Sequence, residues 1–182
     1  MGQIRAYPPV KLFVAVILAA EIGFSETQTI IGRAFGELDL ISALLPFSHT
    51  RFYEREMGSG LQRCIFSLAE LQPAEKLVSL KQAGIRLEQE FSSALGKRRI
   101  NIDPGYVNHA KMVLASSKDY AHRIYLGAGI FADLQYVYSA GKWQMQPWTY
   151  PDYAFAEIID FFTAMRKQYD LQLRDVVRRG VT

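Results

Sequence analysis

Little in this chain suits metal or redox chemistry. It has one cysteine and three histidines in 182 residues. A single cysteine excludes an internal disulfide, and Cys64 lies in the apolar run Cys64-Ile65-Phe66, where a thiol acts as a small hydrophobe. No C-x-x-C, H-E-x-x-H or H-x-E spacing occurs, so no metal motif is present. A G-x-x-x-x-G-K-[ST] phosphate loop is also missing. Charge of one sign is scarce: 21 Lys and Arg against 18 Asp and Glu leave a formal +3. DNA-binding domains carry denser basic stripes, so an acidic partner such as a phosphate or RNA is permitted and not demanded. The longest apolar run, 12–20, falls short of the about 20 residues that span a bilayer, so a membrane partner is not expected.

Core-forming residues are plentiful. Half the chain is apolar, with 11 Phe and 10 Tyr. That supports one packed domain over 1–182, with a tail at 1–9 and an extension at 170–182. Lys11 followed by the 12–20 run is also the shape of a secretory leader. Its β-branched content, Pro8-Pro9 before it and a helix signal after it favour a buried central strand over 10–20.

Ser25-Glu26-Thr27-Gln28 reads as a capping box, followed by the apolar helix face Ile30, Ile31, Ala34, Phe35 and a stop at Gly36. Residues 38–47 read as a loop into an extended segment, and 61–68 as a strand. Pro73 opens a helix carrying Leu77, Leu80, Gly84, Leu87, Phe91 and Leu95, ended by Gly96. A short strand covers 99–102. Asp103-Pro104-Gly105 reads as a turn that launches a helix through Ala110, Val113 and Leu114. Residues 122–126 form a strand. Segments 131–138 and 142–148 pair as a hairpin through Ser139-Ala140-Gly141. A last helix starts near Asp152 and continues or breaks near Asp170. The expectation is α+β: a ferredoxin-like β-α-β-β-α-β core extended by a further helix, a C-terminal hairpin and a closing helix.

Six blocks resemble one prokaryotic family, domain of unknown function 4416. They are Val10-Lys11-Leu12-Phe13-Val14; Phe52-Tyr53-x-x-Glu56-Met57-Gly58; Asn101-Ile102-Asp103-Pro104-Gly105-Tyr106; Lys111-x-Val113-Leu114-Ala115; His122-Arg123-Ile124-Tyr125-Leu126-Gly127; and Pro147-Trp148-Thr149-Tyr150-Pro151-Asp152-Tyr153. The resemblance implies a compact cytoplasmic bacterial or archaeal protein, and it carries over no catalytic residue. The family's pattern has an acidic residue two before the Thr50 position, where this chain has Ser48, with His49 beside it.

Titratable residues gather at element ends between 99 and 133, as a pocket requires. Asp103, His122 and Glu56 are the candidate acid or base groups. Tyr53, Asn101, Lys111, Lys118 and Arg123 are the candidate ligand-binding groups, the lysines as point charges for phosphate. Asp103 also suits a helix cap, Lys111 and Lys118 ordinary surface positions, and His122 a structural role. In an alternating strand, His122 and Arg123 point to opposite faces, which argues against one shared site. Gly127-Ala128-Gly129-Ile130-Phe131-Ala132 matches a relaxed dinucleotide fingerprint, but a strand follows where a helix is required, so a bulge or kink is the better reading. No cofactor is named by any motif. The leading expectation is a phosphorylated or nucleotide-like small-molecule ligand. The alternatives are an RNA-associated module stacking bases on Tyr125, Phe131, Tyr136 and Tyr138, or an interaction subunit using the last helix.

Overall fold

Strand β1 (Val10–Leu18) is buried along its whole length. From Leu12 onward it reads as unbroken apolar sequence because helices cover both faces of the sheet it sits in, and the buried Lys11 before it is paired with Asp39 at 2.6 Å. The computed structural model describes residues 3, 6–48, 52–93 and 96–178, which form an α+β fold. After β1 come helix α1 (Phe24–Phe35), strands β2 (Leu38–Ile41) and β3 (Leu45–Pro46), the single turn α2 (Glu54–Met57), strand β4 (Gln62–Gln72) and helix α3 (Lys76–Glu90). Strands β5 (Ile100–Val107), β6 (Lys111–Ser116), β7 (Arg123–Gly127), β8 (Ile130–Ser139) and β9 (Lys142–Met145) follow. A 3-10 turn (Pro151–Ala154) leads into helix α4 (Ala156–Arg178).

The sheet is antiparallel, in the order β2-β4-β1-β5-β6-β8-β7, with β3 on β4 and β9 on β8. The even residues Val14, Val16 and Leu18 of β1 pack with Ile31 of α1 and Leu87 of α3. Phe13 and Ala15 pack on the opposite face with Ile158, Phe162 and Met165 of α4. The result is three layers, helix–sheet–helix. No helix among the described residues is long and apolar enough to cross a membrane.

Several expectations change. No helix follows Asp103-Pro104-Gly105. β5 continues to Val107 and turns into β6, so Lys111 begins a strand and Asp103 caps nothing. Gly105 serves close approach rather than a turn: a Cβ there would lie 2.3 Å from Phe13 Cζ and 2.5 Å from the Val113 carbonyl. Pro104 is tolerated in the strand because its backbone nitrogen faces away from β1, as Ile102 does, and the β5–β6 ladder begins only at Gly105. The Ser25 capping box is not used. Gly23 is the N-cap, without a side-chain hydrogen bond, and Thr27 Oγ1 donates to the Gly23 carbonyl. Helix α3 starts at Lys76, after a turn at Pro73, and ends at Glu90; Leu95 lies outside the described residues.

The hairpin through Ala140-Gly141 forms, with Ser139 paired to Lys142 and both turn residues at positive φ. Ala128-Gly129 makes an equivalent turn between β7 and β8, and the register shifts between Tyr125 and Gly127, so the expected irregularity is there beside the hairpin turn. Helix α4 runs through Asp170 without a break.

Candidate functional site

Below Gly105 strands β5 and β6 part, and a cleft opens between them. Their ladder covers only Gly105–Val107 against Met112–Leu114. The freed edge of β5 is satisfied by α3. Glu88 Oε1 accepts from the Ile102 N–H at 2.7 Å, and Lys81 Nζ donates to the Ile102 carbonyl at 2.8 Å. Lys81 also bonds Asp103 Oδ1 at 2.8 Å, and Asn101 Nδ2 donates to Asp103 Oδ2 at 2.7 Å. Burial opposes ionisation of Asp103, but Lys81, Arg63 and Asn101 outweigh it and hold the carboxyl below its ordinary 3.8. Asp103 is therefore a fixed carboxylate.

Loops from three parts of the chain wall the cleft. A cavity of about 440 Å³ is lined by Phe47, Phe52, Tyr53, Tyr120, Trp148 and Tyr150, together with Arg63, Asp103, Lys118, His122, Arg123 and Asp152. A smaller polar cavity of about 160 Å³ adjoins it and shares Phe52, Tyr53, Asp103, Lys118 and Tyr150. Tyr120, His122 and Trp148 form a near-parallel stack, with ring centroids 6.0 and 4.8 Å apart. Trp148 is anchored by its indole N–H, which donates to the Leu134 carbonyl at 2.7 Å. Tyr150 is held by its own N–H on Gln135 Oε1 and by Arg123 on its hydroxyl. Burial pushes the Tyr150 hydroxyl up to about 12, and raises that of Tyr53 further.

Most charges here are already paired. Arg63 is buried between the rings of Phe47 and Tyr153 and forms an ion pair with Asp152 at 2.5 Å. Burial works against its charge, yet Tyr153, Asp152 and Asp103 outweigh that and keep it protonated. Arg123 Nη2 meets Asp133 at 2.7 Å and also donates to the Tyr150 hydroxyl, while Nη1 donates to Ser116 Oγ and the Lys118 carbonyl. Arg98 grips Glu56 with two parallel bonds of 2.8 and 2.7 Å and reaches Glu88 and Asn101. The hydrogen bonds from Arg98 hold the Glu56 carboxyl below its ordinary range. Lys118 differs. Its ammonium lies 4.5 Å from the Phe52 ring centroid, and it has no carboxylate partner among the described residues.

Of the residues expected from sequence, Tyr53, Asp103, Lys118, His122 and Arg123 line the larger cavity, and Asn101 lines the smaller. Glu56 stands behind Arg98 and lines neither. Lys111 is not brought in: it starts β6 opposite Val137, at the far end of the strand from Ser116. His122 and Arg123 do share the site. His122 precedes β7 in a turn closed by the Arg123 N–H on the Tyr120 carbonyl, so strand alternation does not separate them. His122 Nε2 lies 3.6 Å from Asp133 Oδ1. His49 and Thr50 lie outside the described residues. Arg63, Lys81, Asp133 and Asp152 were not expected. The sequence signal for Arg63 and Asp133 is a lone charge inside an apolar strand, which needs a buried partner. No group of three or more His, Cys, Asp or Glu among the described residues is placed to hold a metal ion. Burial pushes the Cys64 thiol up to about 12, as befits an inert core residue.

A three-layer α+β protein with an aromatic-walled, charge-lined cleft at a split in its sheet is the class these features define. The chain belongs to the family described as Domain of unknown function (DUF4416), which it matches over residues 8–169. No curated protein and no solved structure matches it.

Proposed function

We propose that the cleft binds a phosphorylated or nucleotide-like small molecule. The observation that carries this reading is Lys118, a cation without a carboxylate partner among the described residues, at the junction of an aromatic and a polar cavity. Aromatic faces suit a planar ring, an ammonium suits a phosphate, and 440 Å³ falls within the volume range of small-molecule sites. In a catalytic version Asp103 serves as acceptor or base, being held ionised, and the His122 imidazole in the same cavity is the second acid or base group. Glu56, clamped by Arg98, positions that arginine. Arg123, with its donors occupied, positions the Lys118 loop and Tyr150.

Two finer readings accompany it. The order β2-β4-β1-β5, with α1 and α3 on one face, supports a ferredoxin-like half to which β6–β9 and α4 are added. A cytoplasmic setting is supported by the burial of the 12–18 run as the central strand. The RNA reading is weaker. Tyr136 is fully buried with its hydroxyl on the Tyr153 carbonyl, and Arg166 covers the Tyr138 ring.

The test is a thermal-shift panel of nucleotides, sugar phosphates, polyphosphate, divalent metals and bulk transfer RNA. A ligand at about a hundred times its Kd adds about 2.7 kcal/mol, visible as a higher Tm. A phosphorylated hit lost in Lys118→Ala and Trp148→Ala supports the cleft. A hit that survives both substitutions, or no hit from any phosphorylated compound, overturns the reading.

A further inference from the structure

Resting on that reading, we infer that the cleft selects a ligand with one planar ring and a single phosphate, as in a nucleoside monophosphate, over its di- and triphosphate counterparts. The charges around the two cavities argue for one phosphate. In the larger cavity Arg63 is closed by Asp152 at 2.5 Å and Arg123 by Asp133 at 2.7 Å. In the smaller, Lys81 is closed by Asp103 at 2.8 Å and Arg98 by Glu56 at 2.7 Å. Lys118 lines both cavities and has no such partner among the described residues. One ammonium matches one phosphate. A second and third phosphate add negative charge beside the Asp103 and Asp152 carboxylates. Polyphosphate sites offset such charge with a metal held by one or two carboxylates, and both carboxylates that line the larger cavity are already engaged, Asp103 by Lys81 and Asp152 by Arg63.

Lys118 is also held in place before any ligand arrives. Its N–H donates to Ser116 Oγ at 3.1 Å, its carbonyl accepts from Arg123 at 3.0 Å, and its ammonium sits against Phe52. Ser117 lines the same polar cavity and adds a hydroxyl suited to a phosphate oxygen. The aromatic cavity takes the ring, with Trp148 extending the Tyr120–His122 stack. The ring and the phosphate therefore occupy adjoining compartments, with Asp103 between them as an acceptor for a ligand hydroxyl.

The experiment is calorimetric titration of the full chain with adenosine, guanosine, cytidine and uridine, each as nucleoside, monophosphate and triphosphate, and with inorganic phosphate. For at least one base the monophosphate is expected to bind about ten- to a hundredfold more tightly than its nucleoside, the factor of one charge-assisted contact. It should also bind more tightly than its triphosphate. Lys118→Met should bring the monophosphate down to the nucleoside's affinity, and Lys118→Arg should restore the preference. A triphosphate that binds as well as the monophosphate overturns the inference, as does a preference that survives Lys118→Met. Inorganic phosphate binding as tightly as the monophosphate removes the role of the ring. If no compound in the series binds, the nucleotide-like reading itself falls, a result distinct from binding without selectivity.

Discussion

Arg123 and Asp133 stand directly opposite each other across β7 and β8, and the pair is nearly sealed from water at side-chain exposures of 5% and 1%. Gln135 Nε2 donates to the second Asp133 oxygen at 2.7 Å. One buried pair thereby fixes the Lys118 loop, Tyr150 and the start of β7.

Removing one member of this pair strands the other in a low-dielectric site. Asp133→Ala is expected to cost about 3–5 kcal/mol of stability. The double variant Arg123→Met/Asp133→Leu should recover much of that loss, because neither charge remains to be solvated. Urea denaturation of the two variants checks this. A double variant no more stable than the single would show that the pair's worth lies in its hydrogen bonds to Ser116 and Tyr150.

Gly105 is where β5 is pressed between the Phe13 ring and the Val113 carbonyl. A methyl there is closer than van der Waals contact to both. Gly105→Ala is expected to destabilise by about 1–3 kcal/mol or more, as overpacking does. Phe13→Leu in the same chain should rescue it only in part, because the carbonyl contact is with backbone that cannot rotate away. Full rescue, read from denaturation midpoints, would place the conflict in the ring alone.

Asp103 and Glu56 both have carboxyls held below their ordinary values, Asp103 by Lys81, Arg63 and Asn101 against its burial, and Glu56 chiefly by Arg98. Each is more acidic folded than unfolded. The stability they contribute is complete above the unfolded value and is lost as pH falls through the folded one. Asp103→Asn should therefore be less stable than the parent at neutral pH. The gap should narrow as pH drops below 3.8, the ordinary carboxyl value of this residue type. Denaturation measured across a pH series reads the gap directly. A gap that stays constant would mean that Asp103 is not the ionised partner of Lys81.

The sequence was most legible where one physical signal stood alone. The apolar run at 12–18 became the central strand, and Ala140-Gly141 became a hairpin turn whose positive φ values glycine tolerates. It misled where one residue type serves two purposes. Asp103-Pro104-Gly105 has turn chemistry, yet its glycine answers a close approach by Phe13, and its proline turns its nitrogen to the side where β5 is not yet paired with β6. Val113-Leu114 is too short a run to separate strand from helix by period, so β6 is not legible there as a strand. The clustering of polar residues near 99–123 pointed to Asn101, Asp103, Lys118, His122 and Arg123 of the cleft lining. Arg63 and Asp152 escaped because they lie far apart in the sequence, and nothing local in either segment points to the other.

Glu88 allows the sheet edge to be probed apart from the charges. Burial raises its carboxyl above the ordinary range, with Lys81 and the Ile102 N–H pulling the other way, so it is less acidic folded than unfolded. The ionised form is what burial penalises, while the hydrogen bond to Ile102 needs only an oxygen. Glu88→Gln keeps that oxygen and removes the charge, and it should leave stability at neutral pH near that of the parent. Glu88→Ala removes the acceptor and leaves the Ile102 N–H buried without a partner, at a cost of about 1–3 kcal/mol. Hydrogen exchange at Ile102 distinguishes the two, with protection retained in the glutamine variant and lost in the alanine one. Equal loss in both would show that the charge on Arg98, and not the Ile102 amide, is what Glu88 is there to meet.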